Sequence, residues 1–175
     1  MTGAILTFAL DSQSGLLTEA GSVSGLAPDC ALVPGVPRGG PQSGPTTRDL
    51  DRDIWAADLH LSPNGRFLYA SERTESTLNA FAVDRSTGKV SYRSTHATEP
   101  QPRGFAIDPS GRFLVASGEK SDLISLYSID DASGLPFECT SRILRRPLRS
   151  GRSTTIWRSK RPGRSSAGSR MSGRL

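Results

Sequence analysis

Short alternations of apolar and polar residues, separated by turn signals, run along most of this chain as far as Arg142. Ala57–Leu61 alternates apolar and polar residues, as a strand with one buried face does. The next four residues, Ser62–Gly65, include Pro, Asn and Gly, which favour a tight turn. By the same signs, further strands are predicted at 66–71, 78–83, 89–94, 104–107, 112–117 and 123–129. Helix signals are absent, so the pattern predicts an all-β meander.

Two stretches repeat each other without a gap at a fixed offset of 46 residues, namely Leu59–Val90 and Phe105–Pro136. A repeat of this length that reads as strands is typical of a β-propeller blade. A third, partial copy opens the chain, because Ile5–Asp11 resembles Leu78–Asp84 and Gly15 matches Gly88. Only the outer half of a blade is present in that copy.

The repeat predicts an all-β fold, a partial β-propeller of about two and a half blades, each full blade being a four-stranded antiparallel sheet. Residues 1–28 would form the outer part of one blade, and residues 54–142 would form two blades. Residues 29–53 are rich in Pro and Gly and are predicted to be a loop between blades, with a Pro-rich docking site as the alternative. Residues 143–175 hold nine Arg and one Lys and no acid, and their composition predicts a disordered tail.

Composition narrows the classes of protein further. The only cysteines are Cys30 and Cys139, which we interpret as reduced thiols of a cytoplasmic protein. With only two histidines and no Cys-x-x-Cys pair, no metal site is expected. No P-loop or dinucleotide fingerprint is present, so no cofactor is expected. We also expect no signal peptide and no membrane association, because no apolar run approaches the length of a span.

Two segments of the repeat resemble the lactonase family of seven-bladed propellers. The first is Trp55–His60 followed by SPNGRFLYASER, and the second is Thr98–Tyr127, which contains Gln-Pro-Arg-Gly-Phe and Ser-Gly-Glu-Lys-Ser. This family is named for 6-phosphogluconolactonase, which hydrolyses 6-phosphoglucono-δ-lactone in the pentose phosphate pathway. The resemblance therefore implies a hydrolase of carboxylic esters whose small-molecule substrate is a sugar-phosphate lactone.

The resemblance covers only the last two to three blades of the family. Its upstream Pro-Arg-His and Asn-Glu segments have no counterpart here, and after Arg142 its closing segment is replaced by Arg/Ser/Gly-rich sequence. We interpret the chain as a fragment with an out-of-frame tail. Catalysis needs several groups preorganised across a channel, so we expect this chain to be inactive.

Lactone hydrolysis requires positive charge for the oxyanion and the phosphate, and a base that activates water. The resemblance implies that Arg73 and Arg103 supply the charge and that Glu72 is the candidate base. Lys120 and His60 are candidate substrate-binding residues.

Each of these residues also has a structural interpretation. Arg73 and Glu72 could be a solvated surface pair, and a Glu held beside an Arg stays ionised and weakly basic. Arg103 could make a structural contact between blades, Lys120 could be a charge at a loop tip, and His60 could be a hydrogen-bonded structural histidine.

Two functions of other classes remain open. The first is a non-catalytic, propeller-type interaction module, since a fold alone does not fix function. The second is nucleic-acid binding, which we expect only non-specifically and only through the ten positive charges of residues 143–175.

Overall fold

The computed structural model describes residues 1–36 and 50–144 of the 175-residue chain. Apart from one 3-10 turn at Leu50–Arg52, the regular structure of this part is entirely β. The strands are β1 (Ala4–Leu10), β2 (Leu17–Ser24), β3 (Ala56–Leu61), β4 (Phe67–Glu72), β5 (Thr77–Val83), β6 (Val90–Ala97), β7 (Pro102–Ile107), β8 (Phe113–Gly118), β9 (Leu123–Ile129) and β10 (Pro136–Leu144).

The strands form three antiparallel sheets. Blade one is β3-β4-β5-β6 and blade two is β7-β8-β9-β10, each in meander order, while β1 and β2 form a two-stranded half-blade. Every strand of blade two begins 46 residues after its counterpart in blade one, as the repeat predicts (56 and 102, 67 and 113, 77 and 123, 90 and 136). The prediction of an all-β partial propeller is confirmed.

The half-blade corresponds to the outer strands of blade one. β1 and β2 begin 73 residues before β5 and β6 (4 and 77, 17 and 90). The pairing of β1 with β2 shifts register between Thr7 and Phe8, and the pairing of β5 with β6 shifts between Ala80 and Phe81, again 73 residues later. Because even the bulge recurs, the half-blade repeats the outer half of a full blade in detail.

The hairpin turn between the two outer strands is the same in all three copies. It carries a glycine with φ of +71° at Gly15, +71° at Gly88 and +72° at Gly134. Only glycine enters this left-handed region without a steric penalty, which explains why the residue type recurs in the repeat.

Apolar side chains between the blades form the core. Phe67 and Tyr69 of blade one pack with Phe105 and Leu114 of blade two in one buried cluster. The Tyr69 hydroxyl is fully buried and donates a hydrogen bond of 2.7 Å to the carbonyl of Gly134, at the far end of blade two. Burial raises the pKa of Tyr69 to about 12. A second cluster joins the half-blade to blade one through Ile5, Leu68, Ala70 and Phe81.

The strand boundaries differ from the sequence prediction mainly in the outermost strands. β6 runs to Ala97 rather than Ser94. β10, whose bounds were not predicted, runs to Leu144 and so includes the first two residues of the predicted tail. Backbone pairing with the neighbouring strand continues to both ends, since Ala97 pairs with Thr77 and Leu144 pairs with Leu123.

Parts of the predicted loop and tail lie outside the described residues, namely 37–49 and 145–175. Within the described part of the loop, Val33 forms an isolated parallel bridge with Asp53. No helix in the described residues is long and apolar enough to cross a membrane.

Candidate functional site

Arg73 follows the end of β4 and is almost completely buried, with 7% of its side chain exposed. Its guanidinium lies over the Trp55 ring, 3.6 Å from the centroid, and its Nη2 donates a hydrogen bond to Oε2 of Glu119. Within the described residues its Nε has no hydrogen-bond partner although it is buried. The guanidinium of Arg73 carries only donors, and its Nη2 donates to a carboxylate that is about half exposed.

Arg103 approaches the same carboxylate from the adjacent blade. It lies on β7 with 75% of its side chain exposed, and its Nη1 is 4.0 Å from Oε2 of Glu119. Glu119 follows β8 and is about half exposed. Two candidate cations from different blades therefore converge on a single carboxylate oxygen. The contact of Arg103 with Glu119 lies within blade two, so both its structural contact between blades and its role in a site stay predictions.

Glu119 is the residue of this cluster that the sequence analysis did not identify. It occupies the repeat position of Arg73, 46 residues later. A pair of opposite charges at equivalent positions of adjacent blades was a signal that could have found it, because equivalent positions lie side by side in a propeller.

Glu72 is not part of an exposed pair with Arg73. It is 1% exposed, its Oε1 accepts the backbone N–H of Trp55 at 2.7 Å, and its Oε2 accepts that of Glu75 at 2.7 Å. The interpretation of Glu72 and Arg73 as a solvated surface pair is thus wrong, since the core encloses both. Oε1 of Glu72 thus fixes the segment before β3 and Oε2 fixes the loop after β4, and its role as a base stays a prediction.

His60 lies away from the arginine cluster, on β3 where it contacts β7. Its Nε2 is 3.0 Å from Oδ2 of Asp58, and its ring meets that of Phe105 edge-on at 4.7 Å between centroids. Asp58 Oδ2 also accepts the backbone N–H of Phe105 at 3.2 Å. These contacts join the inner strands of the two blades, which favours the structural interpretation of His60. Its role in substrate binding stays a prediction.

Lys120 lies next to Glu119 in the exposed loop after β8, and its backbone N–H bonds to the carbonyl of Pro100 at 3.3 Å. Its position is compatible with either a loop-tip charge or a contact to a ligand held by the arginines.

The backbone around the cluster is strained at two positions. Ser76 and Gln101 have φ of +59° and +54°, and the N–H of Gln101 bonds to the Ser76 hydroxyl at 3.1 Å. Left-handed conformations are costly for residues with a side chain and concentrate at functional sites. Gln101 lies two residues before Arg103, and its carbonyl accepts the N–H of Glu119 at 2.9 Å. The strained loop therefore helps to place both Arg103 and Glu119.

The arrangement is suited to binding an anion. Two guanidinium groups flank one carboxylate oxygen, and one of them is held rigidly by an indole ring and the core. No group of three or more His, Cys, Asp or Glu side chains in the described residues could hold a metal ion.

The repeated four-stranded blades define the class of protein as a β-propeller. A family model described as "Lactonase, 7-bladed beta-propeller" matches residues 38–145. The chain belongs to this lactonase family.

Comparison with individual relatives supports the same family. The chain is 54% identical over 60 residues to a 6-phosphogluconolactonase of Serratia proteamaculans, and 50% identical over 60 residues to that of Yersinia enterocolitica. Both matches cover 34% of this chain and 18% of the relative. This chain thus matches under a fifth of the length of these curated relatives.

Solved structures of similar fold also match most of this chain but only part of their own length. The periplasmic gluconolactonase of Pseudomonas aeruginosa matches with a TM-score of 0.62 and 27% identity, over 82% of this chain and 34% of that one. A Lactobacillus plantarum protein matches with a TM-score of 0.63 and 26% identity, over 81% of this chain and 35% of that one. The described blades therefore correspond to about a third of these relatives.

Proposed function

We propose that this chain carries the anion-recognition part of a 6-phosphogluconolactonase-type site. Arg73 and Arg103 bind the phosphate of 6-phosphoglucono-δ-lactone or of its hydrolysis product, 6-phosphogluconate. The observation that carries the proposal is the convergence of both guanidinium groups on Oε2 of Glu119. That oxygen marks a position where a phosphate oxygen would receive charge-assisted hydrogen bonds from two blades.

The described residues provide recognition rather than a complete reaction centre. Hydrolysis requires a base that activates water, and both oxygens of Glu72 already accept backbone hydrogen bonds in the core. We therefore expect the purified chain to hydrolyse 6-phosphoglucono-δ-lactone no faster than protein-free buffer. A role in the pentose phosphate pathway and a cytoplasmic location belong to the same proposal. The pathway rests on the family resemblance and the location on the interpretation of Cys30 and Cys139 as reduced thiols, while the name of the Pseudomonas relative places that protein in the periplasm.

Calorimetric titration of 6-phosphogluconate into wild type and Arg103→Met tests the recognition. Arg103 is largely exposed, so its replacement leaves the fold intact. Loss of one charge-assisted contact, at ~1.5 kcal/mol, should weaken binding about tenfold.

Arg112→Met is the matched control, because Arg112 is also exposed but lies against Phe113 in a distant turn. We expect it to bind as the wild type does. Equal affinities for all three proteins would contradict the assignment of Arg103.

A further inference from the structure

Glu99 is a buried carboxylate without a charged partner. It lies between β6 and β7 and is 5% exposed. Its Oε1 accepts the Ser125 hydroxyl at 2.6 Å, and its Oε2 accepts the Ser121 hydroxyl. No Lys, Arg or His of the described residues forms an ion pair with it. Neutral hydroxyl groups leave the charge of a buried carboxylate uncompensated, and burial of such a charge is costly.

A cavity of about 320 Å³ lies against Glu99 and between the two full blades, where the Tyr127 hydroxyl on β9 donates to the carbonyl of Ala97 at the end of β6. Thr98 also lines the cavity, and its Oγ1 is buried with no hydrogen-bond partner among the described residues. Ala97, Leu123 and Tyr127 supply the apolar part of the wall. The cavity therefore combines one negative charge and an unpaired hydroxyl with apolar surface. Its volume lies at the lower end of small-ligand pockets, which span roughly 300–1,000 Å³.

The internal repeat shows what differs here from the preceding junction of blades. At the position of Ser125, blade one has Asn79, whose side-chain amide donates to the carbonyl of Gly25 at 3.0 Å. Gly25 corresponds to Thr98 at the offset of 73 residues between the half-blade and blade two's neighbour. In blade two the shorter serine turns to Glu99 instead, which leaves room between Ser125 and Thr98.

We propose that this cavity binds a small organic compound through a primary ammonium group. An ammonium carries one positive charge and three N–H donors, which match the Glu99 carboxylate and the unpaired Thr98 hydroxyl. The attached carbon chain lies against Leu123 and Tyr127. Glu99 repels an anion, and a neutral alcohol leaves its charge uncompensated. An alkali metal ion would compensate the charge but leave the apolar wall exposed to water.

The proposal is independent of the anion site. None of the residues that line the cavity belongs to the cluster of Arg73, Arg103 and Glu119, although Ser121 and Glu119 share the loop after β8. Failure of 6-phosphogluconate to bind would therefore leave this proposal standing, and failure of an amine to bind would leave the anion site standing.

Calorimetric titration of the full chain with n-butylamine, at neutral pH in an amine-free buffer, tests the ligand class. The amine is protonated there because alkylammonium groups, like that of Lys, titrate near pH ~10.4. We expect saturable binding. Binding should be at least about tenfold weaker for 1-butanol, which keeps the carbon chain without the charge, and for tetramethylammonium, which keeps the charge without N–H donors.

Three results of this titration would overturn the proposal. The first is that butylamine does not bind saturably. The second is equal affinity for butylamine and for either analogue. The third is displacement of butylamine by potassium chloride but not by tetramethylammonium chloride at the same ionic strength, which would identify an alkali metal site instead.

The variant Glu99→Gln removes the charge and keeps the shape of the side chain. It should weaken butylamine binding at least about tenfold, because the ammonium loses its counter-charge. Glu75→Gln is the matched control, since Glu75 is exposed in the loop after β4 at the repeat position of Ser121. We expect this control to bind butylamine as the wild type does. Equal affinity of Glu99→Gln and the control would contradict the proposal.

Thr98→Val provides a second variant that leaves Glu99 in place. It removes a hydroxyl that has no partner among the described residues, so the urea midpoint of the ligand-free chain should not fall. Butylamine binding should weaken about threefold to tenfold, because the ammonium loses one acceptor. Unchanged affinity would contradict the proposed position of the ammonium.

Discussion

Replacement of Gly134 by Ala tests the packing of the two blades, with two internal controls. Gly15, Gly88 and Gly134 occupy the same turn position with φ of +71°, +71° and +72°. A Cβ at Gly15 or Gly88 would meet no atom within 4 Å, whereas a Cβ at Gly134 would overlap the ring of Phe67 in blade one. The three variants therefore share the backbone strain and differ in the contact between blades.

The left-handed conformation costs Ala ~1–2 kcal/mol, and this term applies to all three variants. Overpacking against Phe67 adds ~1–3 kcal/mol. Any displacement of the turn also weakens the hydrogen bond from Tyr69 to the Gly134 carbonyl, a loss of ~1 kcal/mol. The free energy of unfolding should thus fall by ~1–2 kcal/mol in Gly15→Ala and Gly88→Ala and by ~3–6 kcal/mol in Gly134→Ala.

Urea unfolding followed by circular dichroism measures these differences. Combining Gly134→Ala with Phe67→Ala gives a double-mutant cycle. Removal of the Phe67 ring should recover most of the additional stability that Gly134→Ala loses. Equal losses in Gly134→Ala and Gly88→Ala, or no coupling with Phe67, would refute the packing of blade two on blade one described above.

Three further predictions concern the loops and turns. Glu72→Ala should lower the free energy of unfolding by ~1–3 kcal/mol in urea titrations, because two backbone N–H groups lose their buried acceptor, and a neutral effect would contradict its structural role. Glu119→Gln should tighten 6-phosphogluconate binding about threefold to tenfold in calorimetry, because a charged competitor leaves Arg73, and weaker binding would show that Glu119 assists the ligand. Hydrogen bonds from a serine hydroxyl and from backbone N–H groups lower the pKa values of three turn carboxyls, those of Asp84, Asp108 and Asp130. The folded-state pKa of each carboxyl lies below the unfolded value of ~3.9, so its stabilisation is present above pH ~3.9 and is lost as the pH falls through the folded pKa. The urea concentration at the unfolding midpoint should therefore decrease below about pH 4. It should decrease less in the corresponding Asn variants.

The repeat made most of the fold predictable. A constant offset in the sequence became a constant offset between strands, because turn residues such as Gly88 and the alternating apolar residues impose the same local geometry in each copy. The ends of β6 and β10 were not predictable from side chains, since backbone pairing with an inner neighbour extends a strand whatever its residues are.

The candidate site was predictable only in part. Family motifs pointed to Arg73 and Arg103, which the structure brings to the same carboxylate. The partner, Glu119, follows from which blades are adjacent, and Gln101 adopts a positive φ although it is not a glycine. No local sequence pattern indicates either the position of Glu119 or the backbone conformation of Gln101. His60 and Glu72 show the converse, because residue types suited to catalysis occupy positions where they hold strands and loops together.

Calorimetric titration of the wild-type chain with 6-phosphogluconate and, side by side, with gluconate tests the central claim most directly. The two ligands differ in the phosphate that Arg73 and Arg103 are proposed to bind. We predict saturable binding of 6-phosphogluconate that weakens with added salt, and binding of gluconate that is at least about tenfold weaker. Equal affinity for both ligands, or no binding of either, would contradict the assignment of this cluster as the phosphate site.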